Sequence, residues 1–307
     1  MSAPMRNPDL SALSWYESTA RQRLAAFVDP ESFVEFIGPE QRQISPHLEL
    51  FDLPEQFDDG MIVGKARLDG RPVLVAAQEG RFMGGAFGEV HGAKLTGLLR
   101  AAAALGRDVA ILFDTGGVRL QEANAGELAI AEIMRAVVQA RIAGARVIGL
   151  IGGRAGCYGG GSLIAGCCSA LIASEQGRLS VSGPEVIETN KGVEEFDSRD
   201  RALVWRTMGG KHRYLIGGVD LFVADTVAAF RSAALAALNR PAAFDRKTLQ
   251  VEQARLERRL ARFGAAKDGA EIWRALGVEA PQGVPAMPSE PFLAAAQDKR
   301  EQADDAR

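Results

Sequence analysis

Twice in this chain an apolar run of strand length stops at paired glycines just ahead of a helix-forming stretch. "DVAILFDTGG" ends at Gly116-Gly117, and "ARVIGLIGG" leads through "RAGCY" into "GGGSLIAG". Apolar runs that do not alternate with polar residues fit strands buried on both faces, the habit of parallel sheets. A parallel pair needs a crossover, usually a helix. The feature therefore restricts the chain to an α/β architecture in which strands are joined by helices.

The rest of the chain keeps that rhythm. "MIVGKARLDG" and "RPVLVAAQEG" read as two strands joined by a tight Asp69-Gly70 turn. After the glycine-rich "RFMGGAFGEVHG", the stretch "AKLTGLLRAAAALG" has helical spacing, as does "AGELAIAEIMRAVVQARIAG", with Ile130, Ile133, Met134, Val137 and Val138 on one face. "GGSLIAGCC" opens a short helix, "SALIAS" and "GRLSVSG" are strands, and "DLFVADTVAAFRSAALAALN" is a last strand and helix. Before this block, "LSWYESTARQRLAAFVD" is helical with Ser14 as the expected N-cap, and Pro30, Pro39, Pro46 and Pro54 then interrupt the chain. After it, "DRKTLQVEQARLERRLARF" is a charged amphipathic helix and "SEPFLAAAQDKREQADDAR" is expected to fray. The division that follows is a partly helical lead-in over 1–55, a central α/β domain over 56–240 and a helical extension over 241–307.

Composition narrows the function classes. A chain of 307 residues that is 47% hydrophobic can bury a full core. A net charge of −3 lacks the basic surplus of a nucleic-acid binder. Cys157, Cys167 and Cys168 form neither a disulfide framework nor a CxxC metal pair, which fits a reducing cytoplasm. The start "MSAPMRNPDL" lacks the pattern of a signal peptide. Residues 155–174 are uncharged and long enough to span a bilayer, but their glycines favour a turn, a helix and a strand.

The glycine turns are the chemically informative part. A helix start leaves backbone N–H groups without partners and with partial positive charge, and glycine lets a ligand approach them. No GxxxxGK[ST] is present, so these amides suit an oxyanion better than a coded phosphate site. Two such turns in successive units point to a two-sided site; the competing reading is that glycines only permit tight strand–helix packing. Asp114-Thr115-Gly116 also matches the tripeptide of aspartic proteases. That chemistry needs two carboxylates sharing a proton, though, and the chain has a single such tripeptide amid helices. Asp114 then reads as the cap of its turn. His47, His91 and His212 are too scattered for a metal cluster, and Cys157 reads as a small packing residue rather than a reactive thiol.

Taken in order, "RFMGGAFGEVHGAKL", "DTGGVRLQE", the "GGG" of "AGCYGGGSLIAG", "VSGPEVIE" and "YLIGGVDLFVAD" resemble the carboxyltransferase family, the crotonase-like domains of acyl-CoA carboxylases. The family's Ser-Gly-Gly-Ala-Arg-Met-Gln-Glu stands here as Thr115 to Glu122, and its Gly-Pro-Arg-Val-Ile-Glu as Gly183 to Glu188, with Glu185 reversing a charge. Within the family, "GGRAGCYGGGSLIAGCCSALIASE" and the long lead-in are most similar to the β subunits of malonate decarboxylases.

The resemblance implies a ClpP/crotonase-type ββα superhelix and a carboxy-lyase subunit working with a homologous γ subunit. Together they would turn a malonyl thioester on an acyl carrier protein into an acetyl thioester and CO2, through an enolate. The prosthetic group implied is a CoA-like phosphopantetheine on the carrier, with nothing bound covalently to this chain; an acyl carrier protein transferase subunit is a further implied partner. The backbone amides of Gly116, Gly117, Gly159, Gly160 and Gly161 would be the oxyanion donors and Tyr158 the candidate proton donor. Arg119, Gln121, Gly84, Gly85 and Lys94 would be the candidate substrate contacts. For Arg119, Gln121 and Glu122, local hydrogen bonding in a first helical turn is an equal reading; for Lys94, a solvated helix lysine is the stronger one. The cations Arg199, Arg201, Arg206, Lys211 and Arg213 form either a solvated face or a landing site for an acidic carrier. The family alternative is a carboxyltransferase subunit serving biotin on another chain, since no Met-Lys-Met biotin site occurs here; a non-catalytic scaffold is the third reading.

Overall fold

The computed structural model describes residues 13–41, 45–50, 60–241 and 243–300, so Pro54 and the tail beyond Arg300 lie outside it. The first helix, α1 (Ala20–Phe27), begins later than its periodicity predicts. Its cap is Thr19, not Ser14: Thr19 Oγ1 accepts the Gln22 N–H at 3.2 Å and Gln22 Oε1 accepts the Thr19 N–H at 2.9 Å, a reciprocal capping box. Ser14 caps only the turn ahead of this helix: its hydroxyl accepts the Glu17 N–H at 3.1 Å and donates to Asp225, while Trp15 is fully buried and stacks on Phe230 with ring centroids 4.1 Å apart. A short edge strand β1 (Val34–Glu35) and a single helical turn α2 (Pro46–Glu49) complete the described lead-in.

Strands β2 (Met61–Leu68) and β3 (Arg71–Gln78) form the expected hairpin, with Met61 opposite Gln78 and positive φ at both Asp69 (+54°) and Gly70 (+73°). Then follow α3 (Glu89–Leu105), β4 (Val109–Phe113), α4 (Asn124–Ile142), β5 (Val147–Ile151), β6 (Cys157–Tyr158), α5 (Gly159–Gly166), β7 (Ala170–Ser174) and β8 (Leu179–Ser180). Three helices, α6 (Pro184–Lys191), α7 (Arg201–Met208) and α8 (Gly210–Leu215), lead to β9 (Leu221–Val223) and α9 (Val227–Leu238). The main sheet runs β1-β2-β3-β4-β5-β7-β9, antiparallel through β3 and parallel from β3 onward.

Alternation along the strands assigns the two faces. Val109, Ile111 and Phe113 of β4 join Leu95, Leu99, Ile133 and Val137 in the core beneath α3, α4 and α5. Ala110 and Leu112 point the other way, into a second core with Leu24, Phe27, Phe230 and Leu238 of α1 and α9. The uncharged 155–174 stretch is built as a turn, α5 and β7; among the described residues no helix is long and apolar enough to cross a membrane.

The ββα repeat is visible in β5–β6–α5 and β7–β8–α6, where β6 and β8 pair in a small second sheet. Isolated bridges Phe87–Val118 and Thr115–Cys157 continue that layer towards the start of the domain.

Beyond Pro241 lie α10 (Arg246–Phe263), α11 (Gly269–Ala275) and α12 (Ser289–Ala296). The sequence "SEPFLAAA", expected to fray, is α12. Phe292 and Ala296 are buried against Trp273, Val284 and Phe222. Trp273 and Phe222 lie outside any local window, so local pattern gives no hint of them.

Candidate active site

Three segments converge where β3, β4 and β5 end, the edge at which parallel sheets bind ligands. The Gly116 N–H donates to the Gly84 carbonyl at 2.8 Å, and Phe87 N–H to the Gly117 carbonyl at 2.8 Å. On the other side, Thr115 N–H donates to Gly156 and Tyr158 N–H to Thr115, at 2.8 and 3.0 Å. The two glycine turns singled out by sequence therefore touch. Gly117 has φ +132° and Gly159 φ +54°, and a Cβ on Gly159 would stand 3.1 Å from Gly117 Cα.

Five amides are expected as oxyanion donors, and three of them are already engaged. Gly116 N–H is spent on Gly84, Gly117 N–H bonds Thr115 Oγ1 within its own turn at 3.1 Å, and Gly159 N–H bonds the Val181 carbonyl at 2.9 Å. Gly160 and Gly161 are different. They occupy the second and third positions of α5, Tyr158 gives no side-chain cap, and their N–H groups make no hydrogen bond among the described residues. These glycines also serve packing. A Cβ on Gly161 would lie 2.4 Å from Thr115 Cγ2, and one on Gly160 2.6 Å from the Ile130 side chain.

Asp114 is neither a protease carboxylate nor the cap of its own turn. Its Oδ2 pairs with Arg23 Nη1 of α1 at 2.7 Å and its Oδ1 accepts the Ala155 N–H at 2.7 Å. A Cβ on Gly80 or Gly153 would strike this carboxylate at 2.6 or 2.2 Å, so glycines on both sides make room for it.

The expected substrate contacts divide. Gln121 and Gly84 are exposed. Arg119 is fully buried and holds Glu122 Oε1 at 3.0 Å, while Glu122 Oε2 accepts the Glu89 N–H at the start of α3. The pair thus binds the 115–122 loop to α3 instead of facing solvent. Lys94 is buried too, donating to the Met61 carbonyl. Gly85 (φ +66°) is pressed against backbone: its Cβ would fall 1.7 Å from the Asp114 carbonyl oxygen. Arg119 thus has its Nη1 on Glu122, Lys94 its ammonium on a backbone carbonyl, and Gly85 the space beside it filled by backbone.

Tyr158 is buried against Phe196, Val204 and Met208, and its hydroxyl has no hydrogen-bond partner among the described residues. Burial pushes its phenol above the usual range, as it does the Cys157 thiol, which is consequently poorly nucleophilic. His212 Nδ1 accepts from Trp273 Nε1 at 3.1 Å, and burial brings its pKa to about 3. His91 is buried edge-on to Phe87 and held neutral by burial and by Arg119 and Lys94.

The cationic run does not present one face. Lys211 is buried on the Pro285 and Met287 carbonyls, and Arg206 pairs with Asp268 at 3.1 Å. Arg201 lies over the Trp205 ring at 4.6 Å. Sequence reasoning missed Arg23 and also Gln78, whose Oε1 and Nε2 bridge Asp114 N–H and the Gly85 carbonyl at 3.3 and 3.2 Å. Gln78, as the last residue of an apolar strand, was the one with a visible signal.

Known proteins resemble this chain over most of its length. A family model described as carboxyl transferase domain matches residues 16–243. The malonyl-S-ACP:biotin-protein carboxyltransferase of Malonomonas rubra is 39% identical over 309 residues, covering 94% of this chain and 97% of that protein. The crystal structure of a Pseudomonas malonate decarboxylase hetero-tetramer in complex with malonate aligns with TM-score 0.79 at 39% identity, over 86% of this chain and 98% of that one. A Pseudomonas malonate decarboxylase hetero-dimer aligns with TM-score 0.65 at 36% identity, over 81% and 96% of the two chains.

Proposed function

This chain belongs to the carboxyl transferase domain family, and on that premise we propose that it is the β subunit of a malonate decarboxylase. It works with a homologous γ subunit on malonyl-S-acyl carrier protein, releasing CO2 and leaving acetyl-S-acyl carrier protein. The observation that carries the reading is the meeting of the Gly117 and Gly159 turns beside the unbonded amides of Gly160 and Gly161.

Breaking the bond to the carboxylate moves an electron pair into the thioester, whose oxygen becomes an enolate oxygen. Fixed donors at that oxygen lower the barrier, and removing one typically costs about 10²–10³ in rate. Gly160 and Gly161 supply two such donors at the positive end of α5. Gly116, Gly117 and Gly159 shape the turn that aims them. Tyr158, kept protonated by burial, is the group proposed to return a proton to the enolate carbon. The carrier's phosphopantetheine arm brings the substrate, and an acyl carrier protein transferase subunit would charge that carrier.

One observation favours a second reading. The Malonomonas rubra relative is named for transfer to a biotin protein. The test is to combine the purified chain with its γ subunit and malonyl-carrier, with and without a biotin carrier, and to follow CO2 and acetyl-carrier. Turnover without biotin supports the proposal, turnover only with biotin supports the second reading, and turnover by the isolated chain contradicts the shared site.

A further inference from the structure

Thr115 meets both glycine turns, with its backbone, its hydroxyl and its methyl each engaged. The residue is fully buried. Its backbone pairs with the segment that runs into α5: the N–H donates to the Gly156 carbonyl at 2.8 Å, and the carbonyl accepts the Tyr158 N–H at 3.0 Å. Its Oγ1 accepts the Gly117 N–H at 3.1 Å and donates to the Gly117 carbonyl at 3.3 Å. Its Cγ2 faces Gly161. A Cβ there would stand 2.4 Å from this methyl, while the next nearest atoms, Phe87 Cε2 and Thr115 Oγ1, would be at 3.4 and 3.5 Å. Gly160, one residue earlier, is walled by Ile130 instead, whose Cδ1 and Cγ1 would both stand 2.6 Å from a Cβ. The hydroxyl and the methyl of Thr115 leave the same Cβ, so a single χ1 torsion, stiff in a β-branched residue, sets both contacts. Turning it to release one releases the other.

We propose that Thr115 is a positioning residue for the reaction. Its hydroxyl keeps the Gly117 N–H inside the turn, and its methyl props the start of α5 so that the Gly160 and Gly161 amides meet the thioester oxygen. The inference rests on the thioester reading of those amides. Thr115 touches no reacting atom in this scheme; it acts through the aim of the donors, and a misplacement of about 1 Å can lower a rate about a hundredfold. Serine keeps the hydroxyl and lacks the methyl, so α5 settles towards the vacated space. Valine keeps the branched shape and lacks the hydroxyl, so the Gly117 N–H loses its acceptor and the turn its clasp. Both changes act on kcat, because the enolate oxygen depends on fixed donors more than the bound thioester does.

The test is steady-state turnover of the malonyl-carrier by the assembled complex, with thermal unfolding of each variant measured alongside. Thr115→Ser is expected to lower kcat about three- to tenfold and Thr115→Val about tenfold or more, with KM within about twofold of native. The discriminating measurement is a pair of double variants. Thr115→Ser removes the atom that a Cβ on Gly161 would strike, so it should raise the turnover of Gly161→Ala about tenfold. It leaves Ile130 in place, so it should not raise the turnover of Gly160→Ala. Native kcat in folded Thr115→Ser and Thr115→Val overturns the proposal. Faster turnover by Thr115→Val also overturns it, making the hydroxyl a competitor for the Gly117 amide rather than its clasp. No rescue of Gly161→Ala, or equal rescue of both alanine variants, overturns it too. If the alanine variants do not fold, kcat and KM of the two Thr115 variants decide. Failure of the decarboxylation reading looks different: the native complex releases no CO2. The contact is then read from unfolding midpoints, where Thr115→Ser should still restore Gly161→Ala and not Gly160→Ala, and absence of that restoration overturns the positioning.

Discussion

Arg23 Nη1 and Asp114 Oδ2 stand 2.7 Å apart, with side chains only 2% and 3% exposed, so the first helix supplies the counterion for the strand that enters the Gly116-Gly117 turn. Arg23 is further fixed by donating Nε–H to the Trp15 carbonyl at 2.7 Å. Asp114→Asn should therefore destabilise by about 3–5 kcal/mol, because it leaves a buried guanidinium without its charge partner. A simple turn cap would cost about 1 kcal/mol. Urea denaturation distinguishes the two, and an Asn variant within about 1 kcal/mol of native would restore the cap reading.

Gly161→Ala should cut turnover of malonyl thioester by about a hundredfold or more while the chain still folds. The new Cβ would meet Thr115 Cγ2 at 2.4 Å, wedging the two glycine turns apart and moving an amide off the developing oxyanion. Gly117→Val should act in the same direction, through a φ of +132° that a branched side chain tolerates poorly. Rates in the assembled complex, read alongside thermal unfolding, test both. Full turnover by Gly161→Ala would remove these amides from the mechanism.

Lys94→Met should behave as a stability variant, since Lys94 spends its ammonium on the Met61 carbonyl inside the protein. Loss of that charged hydrogen bond is worth about 1.5–3 kcal/mol. KM for the malonyl thioester should stay within about twofold of native. A large rise in KM at unchanged stability would return Lys94 to the substrate.

Acid should weaken the fold before its carboxylates titrate. His212 is held neutral, with its pKa brought to about 3, and His91 is shifted in the same direction. The unfolded chain takes up these protons near pH 6.5, about the ordinary histidine value, and the folded chain does not. Their contribution is thus complete above that pH and is lost as pH falls towards 3, with a slope of up to about 1.4 kcal/mol per unit for each group. His212→Gln keeps an acceptor for Trp273 and removes one titration, so its stability should fall less steeply between pH 6 and 4. Identical slopes would show that His212 is not the source.

How far the sequence reached depends on whether a feature is local. The hairpin at Asp69-Gly70, the strand over Val109–Phe113 and the helix over Asn124–Ile142 follow from apolar spacing and from where glycine sits, and the sheet is built from them. The meeting of Gly117 with Gly159 was foreshadowed because each turn follows a parallel strand and adjacent parallel strands end on the same edge. What stayed hidden depends on distant partners. Arg119 reads either as a ligand residue or as one bonded locally; the Glu122 contact fits the second, but its closure against the start of α3 depends on a partner 33 residues away from Glu122. Ser14 looks like the cap of the whole helix, but the turn it caps at Glu17 ends before Thr19 opens α1 with a capping box of its own. Arg213 sits in a charge run that reads as a solvated face, and only the packing of α8 turns it inward.

The bridges Phe87–Val118 and Thr115–Cys157 are single pairings between segments far apart in the chain. Neither has a ladder of its own to nucleate it, so each waits until β3, β4 and β5 have been brought into register. The cost of closing such long loops comes first, and their reward only afterwards. The meeting of the two glycine turns is consequently a late product of assembly. A chain caught midway could carry most of its sheet and helices yet possess no place for a thioester, and appearance of the site would mark the end of folding rather than its progress.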